Sequence, residues 1–384
     1  MESVKGILIL VLPLILGNIQ APNNLQPFPI LPTTDEQEAP DIYGKIVVWQ
    51  QFISEYGDYD IYVADINNPA EPLISVLGDE NDQMNPAVFE NFVVWQDFIS
   101  WQGSSDWDIH MADISNRTEP NIYIVSDIVD NDEQNPAIHG NIVVWEDGMP
   151  GNLNIYGSDI TNPSSPMEFL IAGFEFDQQN PAIFRNTVVW QDSYFGDWDI
   201  YAADIWLRNR PADFPVSVFE HDQQNPAVSG DIIVWQDNYY GDWDIYAAGV
   251  SEPNNPIERP IAINDSSAVN PDIDGSIIVW QDNRNGNWDI FGYNLATGLE
   301  SQITYDLSDQ INPAISGNLI VWQDYRNGNS QIYAVLLNGP EVEQYILKAI
   351  GDMNPNRTVD FTNFAPMSSG RLERNPDRSK IHPE

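Results

Sequence analysis

The chain has 384 residues, of which 42% are hydrophobic, and carries 13 Trp, 16 Tyr and 15 Phe, so it can bury a large core and is not a disordered polyanion. Its 58 acidic against 15 basic residues give a net charge of −43, which repels nucleic-acid phosphates and anionic lipid surfaces and leaves cations, proteins and glycans as partner classes. No cysteine occurs, so neither a disulfide framework nor a lipidated Cys is available.

The N-terminus reads as a targeting segment. Lys5 precedes an apolar stretch from Gly6 to Leu16, and Ala21 offers a small residue for cleavage before a proline-rich stretch. The apolar run is too short to span a bilayer, so residues 1–21 are predicted to be a secretory signal peptide and the protein to be exported. No second long apolar run follows, so no membrane span is expected.

From there the chain repeats. Trp49, Trp95, Trp145, Trp190, Trp235, Trp280 and Trp322 each close an apolar run such as IVVWQ or IIVWQD, at spacings of 46, 50, 45, 45, 45 and 42 residues. Aligned on the Trp, the units share a frame clearest in the fourth to sixth: D-Q-Q-N-P-A-[IV], a tight turn, [IT]-[IV]-V-W-Q-D, a glycine-containing loop, and W-D-I-[YF]. These are short β-branched and aromatic runs between Gly, Pro, Asn and Asp turns, the signature of strands and hairpins. Runs such as Ile232-Ile233-Val234-Trp235 are apolar at successive positions, so both faces of the strand must be covered. Seven four-stranded antiparallel sheets in a closed ring satisfy that need, which predicts an all-β, seven-bladed β-propeller over residues 26–348. The N-P-A-[IV] segment is the predicted innermost strand, with V-V-W-Q-D second, W-D-I-Y third and segments such as Pro215–Val218 outermost. Two segments compete to close the ring, Phe28–Pro32 and Gln344–Leu347, with the first preferred because a clasp hides an edge.

Two loop types, outer-to-inner and second-to-third, emerge on one face of such a ring, and both are acidic. The second type supplies Asp97, Asp147, Asp192, Asp237, Asp282 and Asp324, with the aromatics Trp101, Tyr194, Phe195, Tyr239 and Tyr240 beside them. Such a face suits a cation, a polyhydroxylated ligand bound by stacking and hydrogen bonds, or a protein partner. The competing reading is that a carboxylate recurring in every unit caps a turn, blade after blade. His110, His139, His221 and His382 occupy different repeat positions, and no G-x-S-x-G elbow or cysteine nucleophile is present, so catalysis is not indicated. The alternative to a non-catalytic binding or scaffold role is an extracellular carbohydrate-active hydrolase or lyase using the acidic rim. Departures from the repeat, namely Gln51, the long loop around Trp101, the 50-residue interval before Trp145 and Ser330-Gln331, are the expected places for a specific partner.

Through Asn135-Pro136-Ala137-Ile138, Asn180-Pro181-Ala182-Ile183, Asn312-Pro313-Ala314-Ile315, Asp199-Ile200-Tyr201 and Asp244-Ile245-Tyr246, the chain resembles the TolB-like (WD40-like or PD40) propeller repeats of exported surface proteins. That resemblance implies the propeller and an exported binding role. The usual S-P-D-G turn is replaced here by S-G-D, H-G-N or S-G-N, and the α/β domain of TolB proper has no room.

After the ring, Asp352, Asn354, Asn356, Asp360 and Asn363 fall at positions 1, 3, 5, 9 and 12 of a calcium loop, with the Thr358 carbonyl at position 7. Residues 349–370 thus resemble half of a type I dockerin, an EF-hand-like module, and calcium is the cofactor this implies. Arg357 stands where the loop needs glycine and Asn363 replaces the final carboxylate, so the module is degenerate. Residues 371–384, with Arg371, Arg374, Arg378 and Lys380, are predicted to be a disordered basic tail.

Overall fold

A computed structural model of the chain describes residues 26–337 apart from 68–72, 79–80, 102–103, 129–130, 150–151 and 254. The predicted signal peptide, the alternative closing strand Gln344–Leu347, the dockerin-like segment with all six of its calcium-loop residues, and the basic tail lie outside the described residues. Within them the chain forms seven four-stranded antiparallel sheets, a seven-bladed propeller.

Each blade follows the chain outward. Blade 4 is typical: inner strand Gln178–Phe184, second strand Thr187–Asp192, third strand Asp199–Asp204 and outer strand Ala212–Ser217. The inner and second strands meet in a two-residue turn on one face of the ring, here called the turn face. The second-to-third loops and the outer-to-inner loops emerge opposite, on the loop face. Every inner strand carries a bulge just before its proline, in blade 4 between Gln179 and Ala182. The bulge places the Asn of N-P in left-handed backbone, φ 50 to 52, which Asn tolerates better than most residues. In blade 1 Ala39 takes that place at φ 47.

The core is seven clusters, each shared by two neighbouring blades. Trp190 of blade 4 packs with Ile142, Val144 and Ile155 of blade 3, and Trp235 of blade 5 packs with Val189, Ile200 and Ala202 of blade 4. Trp49 closes the circle against Leu319, Val321 and Ile332 of blade 7. All seven repeat tryptophans are buried, each packed against the preceding blade. Doubly apolar strands are thereby explained, because both faces of each sheet are interfaces.

The ring closes through its N-terminus. Phe28–Pro29 is the outer strand of blade 7, with Phe28 opposite Ala334 and Pro29 opposite Tyr333. Ile30 donates its N–H to the Ile332 carbonyl at 2.9 Å and its side chain is buried in the seam. Here two of the repeat's departures find their use. Ser330 donates its hydroxyl to the Gln37 carbonyl at 2.6 Å, and Gln331 accepts the Thr33 N–H and donates to the Asp35 carbonyl, both at 2.8 Å. Gln51 accepts from the Gln37 side chain at 2.9 Å. Ser330, Gln331 and Gln51 are buried, so these departures serve ring closure instead of meeting a partner.

Truncating Ile30 to Ala should therefore lower unfolding free energy by about 2–4 kcal/mol in urea titration, with the seam loosening first. A change within about 0.5 kcal/mol would mean that the clasp does not hold the ring.

Candidate functional site

The W-Q-D segment does two structural jobs. Its Gln bridges blades: the Gln191 Oε1 accepts the Asn180 side-chain amide of its own blade at 3.0 Å and the Asn225 backbone N–H of the next blade at 3.0 Å. The same inter-blade bond recurs all round the ring, from Gln50 to Asn85, Gln96 to Asn135, Glu146 to Asn180, Gln236 to Asn270, Gln281 to Asn312 and Gln323 to Ala39, at 2.7–3.2 Å. Without these bonds each bulged N–H facing the central opening would lack a protein partner. The asparagines also join side chain to side chain, Asn85 to Asn135, Asn180 to Asn225, Asn225 to Asn270 and Asn270 to Asn312, at 2.8–2.9 Å. They line a channel mouth of about 360 Å³, completed by Ala39 and the seven prolines that follow.

The Asp of W-Q-D lies inside the blade. Asp97, Asp147, Asp192, Asp237, Asp282 and Asp324 are all buried, beneath the loop face and not on its rim. Asp97, Asp282 and Asp324 accept their own blade's Trp indole N–H at 2.9–3.3 Å, and Asp192, Asp237, Asp282 and Asp324 accept the backbone N–H two residues on at 2.8–3.0 Å. Asp192, Asp237, Asp282 and Asp324 therefore shape their second-to-third loops. Asp82, Asp132, Asp177, Asp222 and Asp309, in the outer-to-inner loops, accept a backbone N–H from the preceding blade at 2.9–3.2 Å.

The blades differ in what neutralises these carboxylates. His110 and His221 meet Asp97 and Asp237 at 3.0 and 2.9 Å, and Arg284 and Arg326 pair with Asp282 and Asp324 at 2.5 and 2.6 Å. Both guanidinium groups also lie 4.3 Å from a ring centroid, those of Phe291 and Tyr333. Burial works against the Asp97 charge, but the His110 hydrogen bond and charge outweigh it and hold its pKa below the usual range. At Asp192 burial outweighs the hydrogen bonds from Tyr194, Trp190 and Gln178 and pushes the carboxyl to about 6. The third-strand aspartates of the W-D-I segment behave alike: burial, with like charges nearby, pushes Asp108 to about 6 and Asp244 to about 7.

Blade 3 goes furthest. It has Glu133 where blades 2, 4, 5 and 7 have Gln83, Gln178, Gln223 and Gln310, and Glu146 where every other blade has the bridging Gln. In blade 2 the Gln83 amide donates to Asp97 at 3.3 Å; in blade 3 the equivalent residues, Glu133 and Asp147, are two carboxylates facing each other across the strand pair. Glu133 is wholly buried, and its oxygens make no hydrogen bond of good geometry. Burial first, then the charges of Asp147 and Asp108, push it to about 9, with only the Ile128 backbone N–H favouring the anion. The signal was legible as E in place of Q in one unit, but repeat comparison alone does not show that the position is buried.

Aromatic groups, some exposed and some half-buried, cluster on the loop face of blades 4 and 5. Phe219, His221, Tyr239 and Tyr240 form a chain with successive centroids 5.7, 4.9 and 4.7 Å apart. Tyr239 and Tyr240 are 40% and 59% exposed. Beside them Tyr194 sits between Phe176 and Phe195, at 6.1 and 5.0 Å, and is half-buried. Trp101 lies apart, at the tip of the long blade 2 hairpin opposite Ser104. The site residues named from sequence are thus divided: the tyrosines reach solvent together, whereas the aspartates support the loops beneath. Among the described residues no three His, Asp or Glu side chains converge as a metal site, and no helix is long and apolar enough to cross a membrane.

No protein-family model matches the chain, and no curated protein matches it. Solved structures do. The chain is similar to the β-propeller domain of the trilobed protease from Pyrococcus furiosus, at 11% identity and TM-score 0.58, over 79% of this chain and 96% of that one. It is similar to oligogalacturonate lyase from Vibrio parahaemolyticus, at 12% identity and TM-score 0.57, over 82% and 97%. A puromycin-hydrolysing peptidase from Mycobacterium tuberculosis matches at 10% identity and TM-score 0.58 over 75% of this chain, which spans half of the peptidase's length. At such identities the likeness shows the propeller fold alone.

The buried carboxyl of Glu133 sets a pH dependence. Between the ordinary value near 4.5 and about 9, the folded state keeps a proton that the unfolded state has lost, so stability falls as pH rises through that window. Glu133→Gln, which restores the residue of neighbouring blades, should raise stability at pH 8.5 by about 1–3 kcal/mol and have little effect at pH 4.5, read as melting temperature against pH. Equal effects at both pH values would show that no proton is held there.

Proposed function

We propose that this is an exported, non-catalytic TolB-like propeller that docks a partner protein on its loop face. The observation that carries the reading is the exposed pair Tyr239 and Tyr240, which ends an aromatic chain running through the half-buried His221. Tyrosines offer large contact area with little side-chain entropy to lose, and they are enriched among the residues that dominate binding energy. A net charge of −43 around them favours a basic surface on the partner and a fast, salt-dependent association. Nucleic acid and membranes are not expected partners, for the same electrostatic reason.

The alternative is a carbohydrate-active hydrolase or lyase. Its support is that Asp108, Asp192 and Asp244 titrate near neutrality, as a general acid must. Against it, all three are buried, and Asp192 and Asp244 accept the Tyr194 and Asn264 backbone N–H groups, so a substrate could not reach them without the loops opening.

Partner capture from the extracellular fraction, followed by affinity measurement of the purified pair, tests the proposal. Tyr239→Ala with Tyr240→Ala should weaken the complex at least thirtyfold, as loss of an anchor worth about 2 kcal/mol or more implies, without changing the melting temperature. Unchanged affinity would remove the loop face as the docking surface. Glycan cleavage abolished by Asp192→Asn would establish the alternative.

A further inference from the structure

Blade 4 breaks the repeat twice on the turn face, opposite the tyrosines. The first break is in the inner turn. Five blades put glycine at its first position, Gly44, Gly140, Gly230, Gly275 and Gly317, at φ 60 to 65. Blade 4 has Arg185 there at φ 58, and only Glu90 of blade 2 shares the exception. Left-handed backbone disfavours any residue with a Cβ, so retention of a large side chain in that geometry points to use of the side chain. Arg185 is exposed, lies 5.3 Å from the Phe184 ring centroid, and has no carboxylate within ion-pair distance among the described residues, in a chain with 58 acids.

The second break is in the loop after the third strand. Asp65, Asp113 and Asp159 of blades 1 to 3 each accept the backbone N–H two residues on, from Asn67, Ser115 and Thr161, at 2.9–3.1 Å. In blade 4 the same cap survives, with Trp206 donating its N–H to Asp204 at 2.8 Å. The loop shape therefore needs nothing from the indole. Yet an indole replaces a small polar group, and it is 73% exposed.

The two departures face one cleft of about 410 Å³ between blades 4 and 5, lined by Phe184, Arg185, Asn186, Asp204, Trp206 and Asp231 among others. That is the size range of small-ligand pockets, with one free aromatic face and a few polar groups around it. We propose that this cleft binds a neutral hexose-based glycan. Trp206 offers a flat apolar face to the C–H side of a sugar ring. Asp231, Asn186 and Arg185 supply acceptors and donors for adjacent hydroxyl pairs. Charges of both signs lie within the cleft, which suits a polyhydroxylated neutral ligand; a polyanion would also meet the net charge of −43. The concavity of the cleft favours a small-unit ligand over a flat protein surface. This proposal stands independently of the loop-face docking reading, since it uses other residues on the opposite face.

The test is isothermal titration calorimetry of the intact protein with cellohexaose, mannohexaose, maltohexaose, xylohexaose and, as the anionic comparison, hexagalacturonate. At least one neutral hexose oligomer should bind. Trp206→Ala should weaken that binding at least tenfold, and Arg185→Gly, which restores the residue of five other blades, severalfold with an unchanged or higher melting temperature. Tyr239→Ala with Tyr240→Ala should leave it unaltered. Absence of binding by the neutral hexose oligomers, binding of hexagalacturonate alone, or binding that survives Trp206→Ala overturns the proposal. Loss on changing the tyrosines and not Trp206 also overturns it, and moves the sugar to the loop face.

Discussion

Every blade of this protein is apolar on both faces, and that one constraint organises the rest. A lone four-stranded sheet with Val, Ile and Trp on both sides cannot meet water on either, so each blade depends on two neighbours and the set is satisfied only as a ring. Each buried Trp lies at one of the seven interfaces and fills it from the blade that follows. The polar counterpart is the Gln of W-Q-D, which carries the next blade's bulged N–H around the channel mouth. Burial drives the contact, and the amide bond fixes its register.

The same architecture explains why so much acid is tolerated inside. The inner ends of the second and third strands bring carboxylates together below the loop face, where loops need anchors and each Asp can accept several N–H groups. Some are balanced by His or Arg, and others rest on protons. Those with raised pKa make the fold lose stability as pH rises from the ordinary carboxylate range through about 6 to 9. His139 acts in the opposite sense. Burial, then the Arg185 charge, lowers its pKa to about 4, so the stability tied to its neutral form is lost as pH falls from about 6.5 to about 4. The raised carboxyls thus favour lower pH, and His139 opposes them below about 6.5.

Much of this was legible in the chain. The Trp period named the number of blades, the doubly apolar runs named their mutual packing, and the Phe28 segment was readable as the clasp. The Asp ring was harder, because a carboxylate beside a loop glycine reads as exposed until the loop is seen to fold back over it. Ser330, Gln331 and Gln51 stood out as irregularities, but sequence does not distinguish a residue adapted to the seam from one adapted to a ligand. Arg185 and Trp206 are illegible in the sequence for a converse reason. They occupy turn-face positions whose residues vary from blade to blade, so their oddity appears only when φ 58 and an exposed indole are set on one cleft.

The central claim is that the ring is locked by amide bonds passing from each W-Q-D Gln to the next blade's bulged Asn. Native-state hydrogen exchange of the Asn225 and Asn270 backbone amides tests it most directly, since both border an open channel mouth. If the account holds, these amides exchange only with global unfolding and are as protected as strand amides of the blade core. Exchange at rates typical of solvent-exposed loops would contradict it.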